Sequence, residues 1–377
     1  MNHLLVTNDF PPKIGGIQNY LYELWRRLPP EEVTVLTTRY EGSARFDRQQ
    51  TFRLVRSSSS VLLPTPELTR QIRQLASEVR ASFIVLDPAL PLGLVAPRLG
   101  LPYGVVLHGA EVTVPGRLPL ASGLLASVLA PATLVIAAGG YAAEEARRVL
   151  PGRMPPAVFV PPGVDTERFR PLTPAERSAA RAALGLPAAG RLVVSVSRLV
   201  PRKGMDVLIK AVGLLRPSMP DLCLAIGGQG RERGRLDRLI ESEGLDDAVR
   251  MLGRVADDDL PRLDGAADVW AMLCRDRWLG LEQEGFGIVF LEAAAAGVPQ
   301  VAGRSGGAHE AVVHGETGLV VDDPTDPAAA AAALRSLLED PERRHRLGEA
   351  ARKRAEAEFD YSLLALRLRA ALEEAAA

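Results

Sequence analysis

The chain has 377 residues, 47% of them hydrophobic and 24% charged, with a formal net charge of −1. That length is too great for one ordinary core and predicts two domains of roughly 150–200 residues. Near-neutrality excludes a global drive toward nucleic acid, so no nucleic-acid partner is expected. Cys223 and Cys274 lie in apolar, strand-like surroundings with neither metal-ligand nor disulfide spacing. No metal site is therefore expected, and a reducing cytoplasm is the expected setting.

Met1–Thr7 opens as a strand rather than a basic leader. It leads through Asn8-Asp9-Phe10-Pro11-Pro12-Lys13-Ile14-Gly15-Gly16-Ile17-Gln18 into a helix predicted over Gln18–Leu28. A strand, a glycine pair and a helix opening can bring backbone N–H groups against a phosphate, although Gly15 and Gly16 alone fit an ordinary tight turn better. Strands at Val33–Thr37, Phe83–Leu86 and Tyr103–Leu107 alternate with helices at Pro66–Arg80 and Leu90–Leu99, while Ser57–Ser60 and its surroundings read as loop. This rhythm predicts a parallel, doubly wound sheet. His108-Gly109-Ala110-Glu111 follows the Tyr103–Leu107 strand, where open α/β sheets place ligands, and makes His108 a candidate functional residue.

From Leu118 to Gly140 no charge appears, a length sufficient for a membrane span. Pro119, Ser122, Ser127, Pro131 and Thr133 interrupt it, and it divides into a helix (Pro119–Leu129) and a buried strand (Thr133–Ala137). A helix over Tyr141–Leu150 then reaches the proline-rich Val158-Phe159-Val160-Pro161-Pro162-Gly163-Val164-Asp165, where the chain is expected to cross between domains. The predicted domains are 1–167 and 168–358, with a terminal helix in 359–377.

The second domain restarts with Leu192–Val196, the loop Ser197-Arg198-Leu199-Val200-Pro201-Arg202-Lys203-Gly204 and a helix from Met205. Arg198 and Lys203 leave one loop at a strand end and can converge on a diphosphate, a forked donor beside a point charge. Ile226-Gly227-Gly228-Gln229-Gly230 imitates a dinucleotide fingerprint with its last glycine misplaced, and Asp257-Asp258-Asp259 imitates an acid cluster where a helix cap is expected. Further strands are predicted at Val249–Leu252, Asp268–Leu273 and Pro299–Ala302, and helices at Pro327–Leu338, Pro341–Glu358 and Tyr361–Ala376.

The second domain centres on Glu284-Gly285-Phe286-Gly287-Ile288-Val289-Phe290-Leu291-Glu292. The acids stand eight positions apart, too far for one patch on one helix, so Glu284 is expected in the preceding loop and Glu292 within the helix. The N–H groups of Gly287, Ile288 and Val289 would then face a phosphate, with one acid for sugar hydroxyls and the other for a ribose.

These segments together resemble the retaining glycosyltransferases of the GT-B fold, family 4. The Asn-Asp-Phe-Pro-Pro-x-x-Gly-Gly-Ile-Gln loop and Cys274-Arg275-x-Arg277-x-x-Gly280 look closest to the actinobacterial phosphatidylinositol (monomannoside) α-mannosyltransferases. The resemblance implies an α/β protein of two Rossmann-like, doubly wound domains facing each other across a cleft, with a terminal helix crossing back to the first. It implies Arg198 and Lys203 on the departing diphosphate, Glu284 on sugar hydroxyls, Glu292 on the ribose, and Arg254 and Val255 at the base. Phe286 to Val289 would line the donor site, and His108, Gly15, Gly16 and Gln18 would serve it from the first domain. The implied donor is a sugar nucleotide, GDP-mannose, with no cofactor. The implied acceptor is a glycolipid, reached by peripheral contact with an anionic membrane on its cytoplasmic face. Arg26, Arg27, Arg70, Arg73, Arg147, Arg148 and Arg153 are the candidates for that contact. The rival readings are a family 4 enzyme using UDP- or ADP-sugars, a nicotinamide-dependent oxidoreductase, which the missing G-x-G-x-x-G opposes, and a non-catalytic sugar-nucleotide binder.

Overall fold

The structure, a computed structural model, describes residues 1–278 and 282–377. It divides into two compact units, residues 1–162 with 361–377, and residues 163–360.

The first unit carries seven parallel strands: β1 (His3–Thr7), β2 (Val33–Thr38), β3 (Arg53–Ser57), β4 (Phe83–Asp87), β5 (Tyr103–Leu107), β6 (Leu134–Ala137) and β7 (Ala157–Phe159). Their order is β3-β2-β1-β4-β5-β6-β7, so the winding reverses between β1 and β4, where Thr7 pairs with Asp87. Strands buried on both faces need cover on both sides. Helix α1 (Gly16–Trp25) lies on one side, while α2 (Ser43–Asp47) precedes edge strand β3. On the opposite side Leu4, Val6, Ile84 and Leu86 pack with α3 (Pro66–Glu78), α4 (Ala110–Gly116), α5 (Pro119–Leu129) and α6 (Gly140–Val149).

The second unit holds six parallel strands: β8 (Leu192–Val196), β9 (Cys223–Gly227), β10 (Val249–Gly253), β11 (Val269–Met272), β12 (Gln300–Gly303) and β13 (Gly318–Val321). The order β10-β9-β8-β11-β12-β13 reverses between β8 and β11. Its helices are α7 (Pro174–Ala183), α8 (Met205–Leu215), α9 (Arg233–Ser242), α10 (Leu260–Ala266), α11 (Ile288–Ala295), α12 (Ala308–Ala311), α13 (Pro327–Leu338) and α14 (Pro341–Glu358). The terminal helix α15 (Tyr361–Ala376) belongs to the first unit. There Tyr361, Leu364, Leu368 and Leu372 share a core with Leu5, Val85 and Tyr20, on the α1 side of the sheet.

Several local expectations change. The division falls after Pro162 rather than after 167, because the Val164 N–H donates to the Phe359 carbonyl at 2.8 Å and holds this stretch in the second unit. Leu92–Arg98 is a 3-10 segment, since Pro97 lacks the donor a continuous α-helix requires. β3 forms where loop was expected. Asp257–Asp259 forms its own 3-10 turn, and no acid side chain caps α10: Asp259 pairs with Arg262 at 3.3 Å and Asp257 with Arg168 at 2.8 Å. No helix of the described residues is long and apolar enough to cross a membrane, and the charge-free segment is the helix and strand α5 and β6.

Candidate functional site

In the second unit the candidate residues gather at the carboxyl ends of β8 and β11, the winding reversal where α/β sheets accept ligands. Gly204 makes the approach possible: its φ is +67°, and a Cβ there would stand 2.0 Å from the Leu273 carbonyl. The turn Pro201–Lys203 is thereby pressed against the end of β11. Lys203 Nζ lies 2.6 Å from Glu284 Oε2, and Arg202 Nη1 lies 2.6 Å from the same oxygen. The Cys274 thiol donates to it at 3.4 Å. Burial works against ionisation of Glu284, but Lys203 and then Arg202 outweigh it and hold the carboxyl below its usual range.

The Glu284 backbone is fixed from the other side. Its N–H donates to Ser305 Oγ at 3.1 Å, and its carbonyl accepts the Gly307 N–H at 2.9 Å. Cβ atoms at Gly306 and Gly307 would fall 2.1 Å from the Glu284 carbonyl and 2.2 Å from the Gly285 carbonyl, so this close strap requires glycine. Gly287, at φ +88°, opens α11 with no side-chain cap, leaving first-turn N–H groups for a ligand. Phe286 is buried against Phe359, with ring centroids 5.7 Å apart, and Ile288 and Val289 begin the helix half-buried.

Arg198 is exposed, and its guanidinium has no partner among the described residues. Its loop is locked by the glycines that imitated a dinucleotide fingerprint. A Cβ at Gly228 would stand 1.8 Å from the Ser197 carbonyl, and one at Gly230 2.2 Å from the Leu199 carbonyl. These glycines serve packing between two loops. Val255 lies over Gly227, where a Cβ would meet its methyl at 2.7 Å, while Arg254 is exposed and unpaired among the described residues.

Glu292 is half-buried on α11. Burial raises its carboxyl above the usual range; Arg168 opposes the shift and Asp257 adds to it. Its neighbour Asp264 is pushed well up by burial and then by Glu292, although Trp270 Nε1 donates to Asp264 at 3.0 Å and works the other way.

In the first unit, Asp9 Oδ1 receives Lys13 Nζ at 2.9 Å and Gln18 Nε2 at 2.5 Å. The side-chain space at Gly15 is filled by Gln18, whose Oε1 would lie 2.1 Å from a Cβ; Gly16 begins α1. His108 Nε2 pairs with Asp87 Oδ1 at 2.7 Å, and Thr7 Oγ1 donates to Asp87 Oδ2 at 2.6 Å. Tyr20 packs edge-on against the imidazole at 5.4 Å. Glu111 receives the N–H groups of His108 and Gly109. Burial lowers the His108 pKa, but Asp87 more than compensates, and the net shift is upward.

Residues of these clusters not singled out from sequence include Arg202, Asp87, Asp264 and the thiol of Cys274. The signal for Arg202 was its place beside Lys203; Asp87 offered none until β4 and β5 were paired. The arginine motif after Cys274 builds the local frame. Arg275 grips Asp206 with two contacts of 3.0 Å, and Arg277 pairs with Glu282 at 2.9 Å; Gly280 lies outside the described residues. Among the described residues no group of acids, histidines or cysteines could hold a metal.

Residues 176–354 match the family described as glycosyl transferases group 1, and residues 14–168 match glycosyltransferase family 4. A Mycobacterium tuberculosis protein named GDP-mannose-dependent alpha-(1-6)-phosphatidylinositol monomannoside mannosyltransferase is 40% identical over 375 residues, 97% of this chain and 96% of that protein. The Corynebacterium glutamicum protein named for the monoacylated lipid is 37% identical over 371 residues, with 97% and 96% covered. Among solved structures, Anabaena Alr3699/HepE in complex with UDP superposes with a TM-score of 0.84 at 23% identity, covering 99% of this chain and 100% of that one. At that identity the likeness concerns the fold.

Proposed function

Because the chain belongs to the group 1, family 4 glycosyltransferases, we propose that it moves mannose from GDP-mannose to a phosphatidylinositol-linked mannoside with retention at the anomeric carbon. The observation that carries this reading is identity of 40% across 97% of the chain to a protein named for that reaction.

In this reading the bond between mannose C1 and the β-phosphate oxygen of GDP breaks. A bond from C1 to an acceptor hydroxyl forms on the same face, and the hydroxyl proton passes to the departing phosphate. Charge builds on the diphosphate, and Arg198, Lys203 and the first-turn N–H groups at Gly287, Ile288 and Val289 stabilise it. Glu284, buried and ionised, receives sugar hydroxyls; Glu292 holds the ribose; Arg254 and Val255 border the base. On the first unit, His108 with Gly15, Gly16 and Gln18 serves the sugar and acceptor. The donor is a substrate, and no cofactor enters the scheme.

We further propose peripheral contact with anionic lipid on the cytoplasmic face. Of the seven arginines expected to share a basic face, Arg26 and Arg27 belong to the α1 side of the sheet and pair with Glu23, and Arg148 pairs with Glu145 at 2.6 Å. Arg70 and Arg73 on α3, Arg147 on α6 and Arg153 after it remain exposed without a side-chain partner among the described residues. Leu118, Leu120 and Leu124 at α5 are exposed on the same side of the sheet, Leu120 at 89%. Lipid contact thus rests on this smaller set.

Thermal shift with GDP, UDP, ADP and NAD at equal concentrations tests the donor, since a ligand of the native state raises its stability. GDP should give the largest rise. A larger rise with NAD, or with UDP, would remove the GDP assignment.

A further inference from the structure

Glu284 is 7% exposed, and one of its oxygens, Oε2, receives both Arg202 and Lys203 at 2.6 Å. On Glu284 itself, two cations share a single carboxylate oxygen. The two are not equally free to leave. Arg202 also lies 3.5 Å from the Gln283 carbonyl and 3.8 Å from the Glu282 carboxylate, and its own carbonyl accepts the Arg275 N–H at 2.9 Å. Lys203 Nζ has Glu284 alone among the described residues, at the end of a flexible stem. Stripping the last cation from a buried carboxylate is strongly unfavourable, whereas removing one of two is not.

We propose that Arg202 is a positioning residue of the donor site: it remains on Glu284 as the standing counter-ion, which releases Lys203 to the phosphates of the nucleotide. This rests on the reading of Lys203 as a phosphate ligand. It gives the arginine a role that does not require it to touch the donor. Cys274 assists from the same side, its thiol kept protonated by burial and by Glu284 and donating to Oε2.

The test is a cycle of GDP affinities measured by calorimetry on the full chain. In Arg202→Gln, Lys203 becomes the only cation on Glu284, and GDP should bind at least about tenfold more weakly. Arg202→Lys returns the counter-ion and should bind within about threefold of wild type. The decisive protein is Arg202→Gln with Glu284→Gln: with no carboxylate to hold it, Lys203 is free again, and affinity should return to within about threefold of wild type. A double variant as weak as Arg202→Gln alone would overturn the assignment, because Arg202 would then act on GDP itself or on the fold. Lys203→Ala separates this from the reading beneath it. Wild-type GDP affinity in Lys203→Ala removes the phosphate role of Lys203, whereas a weakened Lys203→Ala beside an unrescued double variant leaves that role standing and removes only Arg202.

Discussion

Arg198 and Lys203 leave one loop but meet opposite surroundings, the first exposed and unpaired among the described residues, the second buried on Glu284. In the proposed reaction both charges serve the same leaving group, so Arg198→Ala and Lys203→Ala should each lower turnover by about 10²-fold or more. Circular dichroism melts should show the fold retained, and near-wild-type turnover in both would remove the donor-site assignment. His108 gives a pH-dependent prediction. Asp87 raises its pKa against the opposing effect of burial, so the protonated pair stabilises the folded state. That contribution is fully present below the ordinary histidine value of about 6.5 and is lost as pH rises through the higher folded value. The melting temperature of wild type should therefore exceed that of Asp87→Asn most at about pH 5.5–6, with the gap closing toward about pH 9. A gap independent of pH would contradict the pairing. At this scale the sequence showed which charged residues stand at strand ends but not which meet. Arg202 and Asp87 acquire their roles from residues about 80 and about 20 positions away along the chain, contacts that strand pairing inside each unit creates.

Helix α11 and the loops around it show what an element can and cannot announce. The switch from an acid in a glycine turn to an apolar helix was legible, because eight positions cannot share one helical patch. The strap of Gly306 and Gly307 over Glu284, and of Gly228 and Gly230 over the Arg198 loop, was not: a glycine in a sequence does not say which backbone approaches it. Gly228→Ala tests that approach, since it sets a Cβ 1.8 Å from the Ser197 carbonyl at φ +134°. It should destabilise the chain by roughly 2 kcal/mol or more in urea melts and weaken GDP binding by displacing Arg198. Unchanged stability would mean that the loop yields freely. Edge strand β3 was missed because Arg53 and Arg56 flank only Leu54 and Val55, a pattern with neither a continuous apolar run nor a clean alternation. Glu292 shares the pH direction of His108, but here removal of the charge should stabilise rather than destabilise the fold. Its raised pKa means that ionisation costs stability as pH rises above the ordinary glutamate range. Glu292→Gln should raise the melting temperature more at about pH 8 than at about pH 5, while Glu292→Ala weakens GDP binding. An equal gain at both pH values would contradict the shift.

For the whole chain, two successive parallel sheets were legible from the alternation of buried strands and helices, and the family from ordered motifs spread over both. The basic face was not, because sequence order does not reveal on which side of a sheet each helix packs. Arg26 and Arg27 fall opposite Arg70, Arg73 and Arg147 for that reason. If lipid contact uses the α3, α5 and α6 side, Leu120→Asp with Arg147→Glu should reduce sedimentation with anionic vesicles, whereas Arg26→Glu should leave it near wild type. Loss in the Arg26 variant alone would move the contact to the other side. Mannosyl transfer from GDP-mannose to a phosphatidylinositol-linked acceptor can be followed by incubating the purified chain with radiolabelled GDP-mannose and phosphatidylinositol monomannoside, then resolving the lipid extract. Label should enter a dimannosylated lipid, with none transferred from UDP-glucose supplied in its place. Transfer from UDP-glucose alone, or label that never enters the lipid fraction, would contradict it.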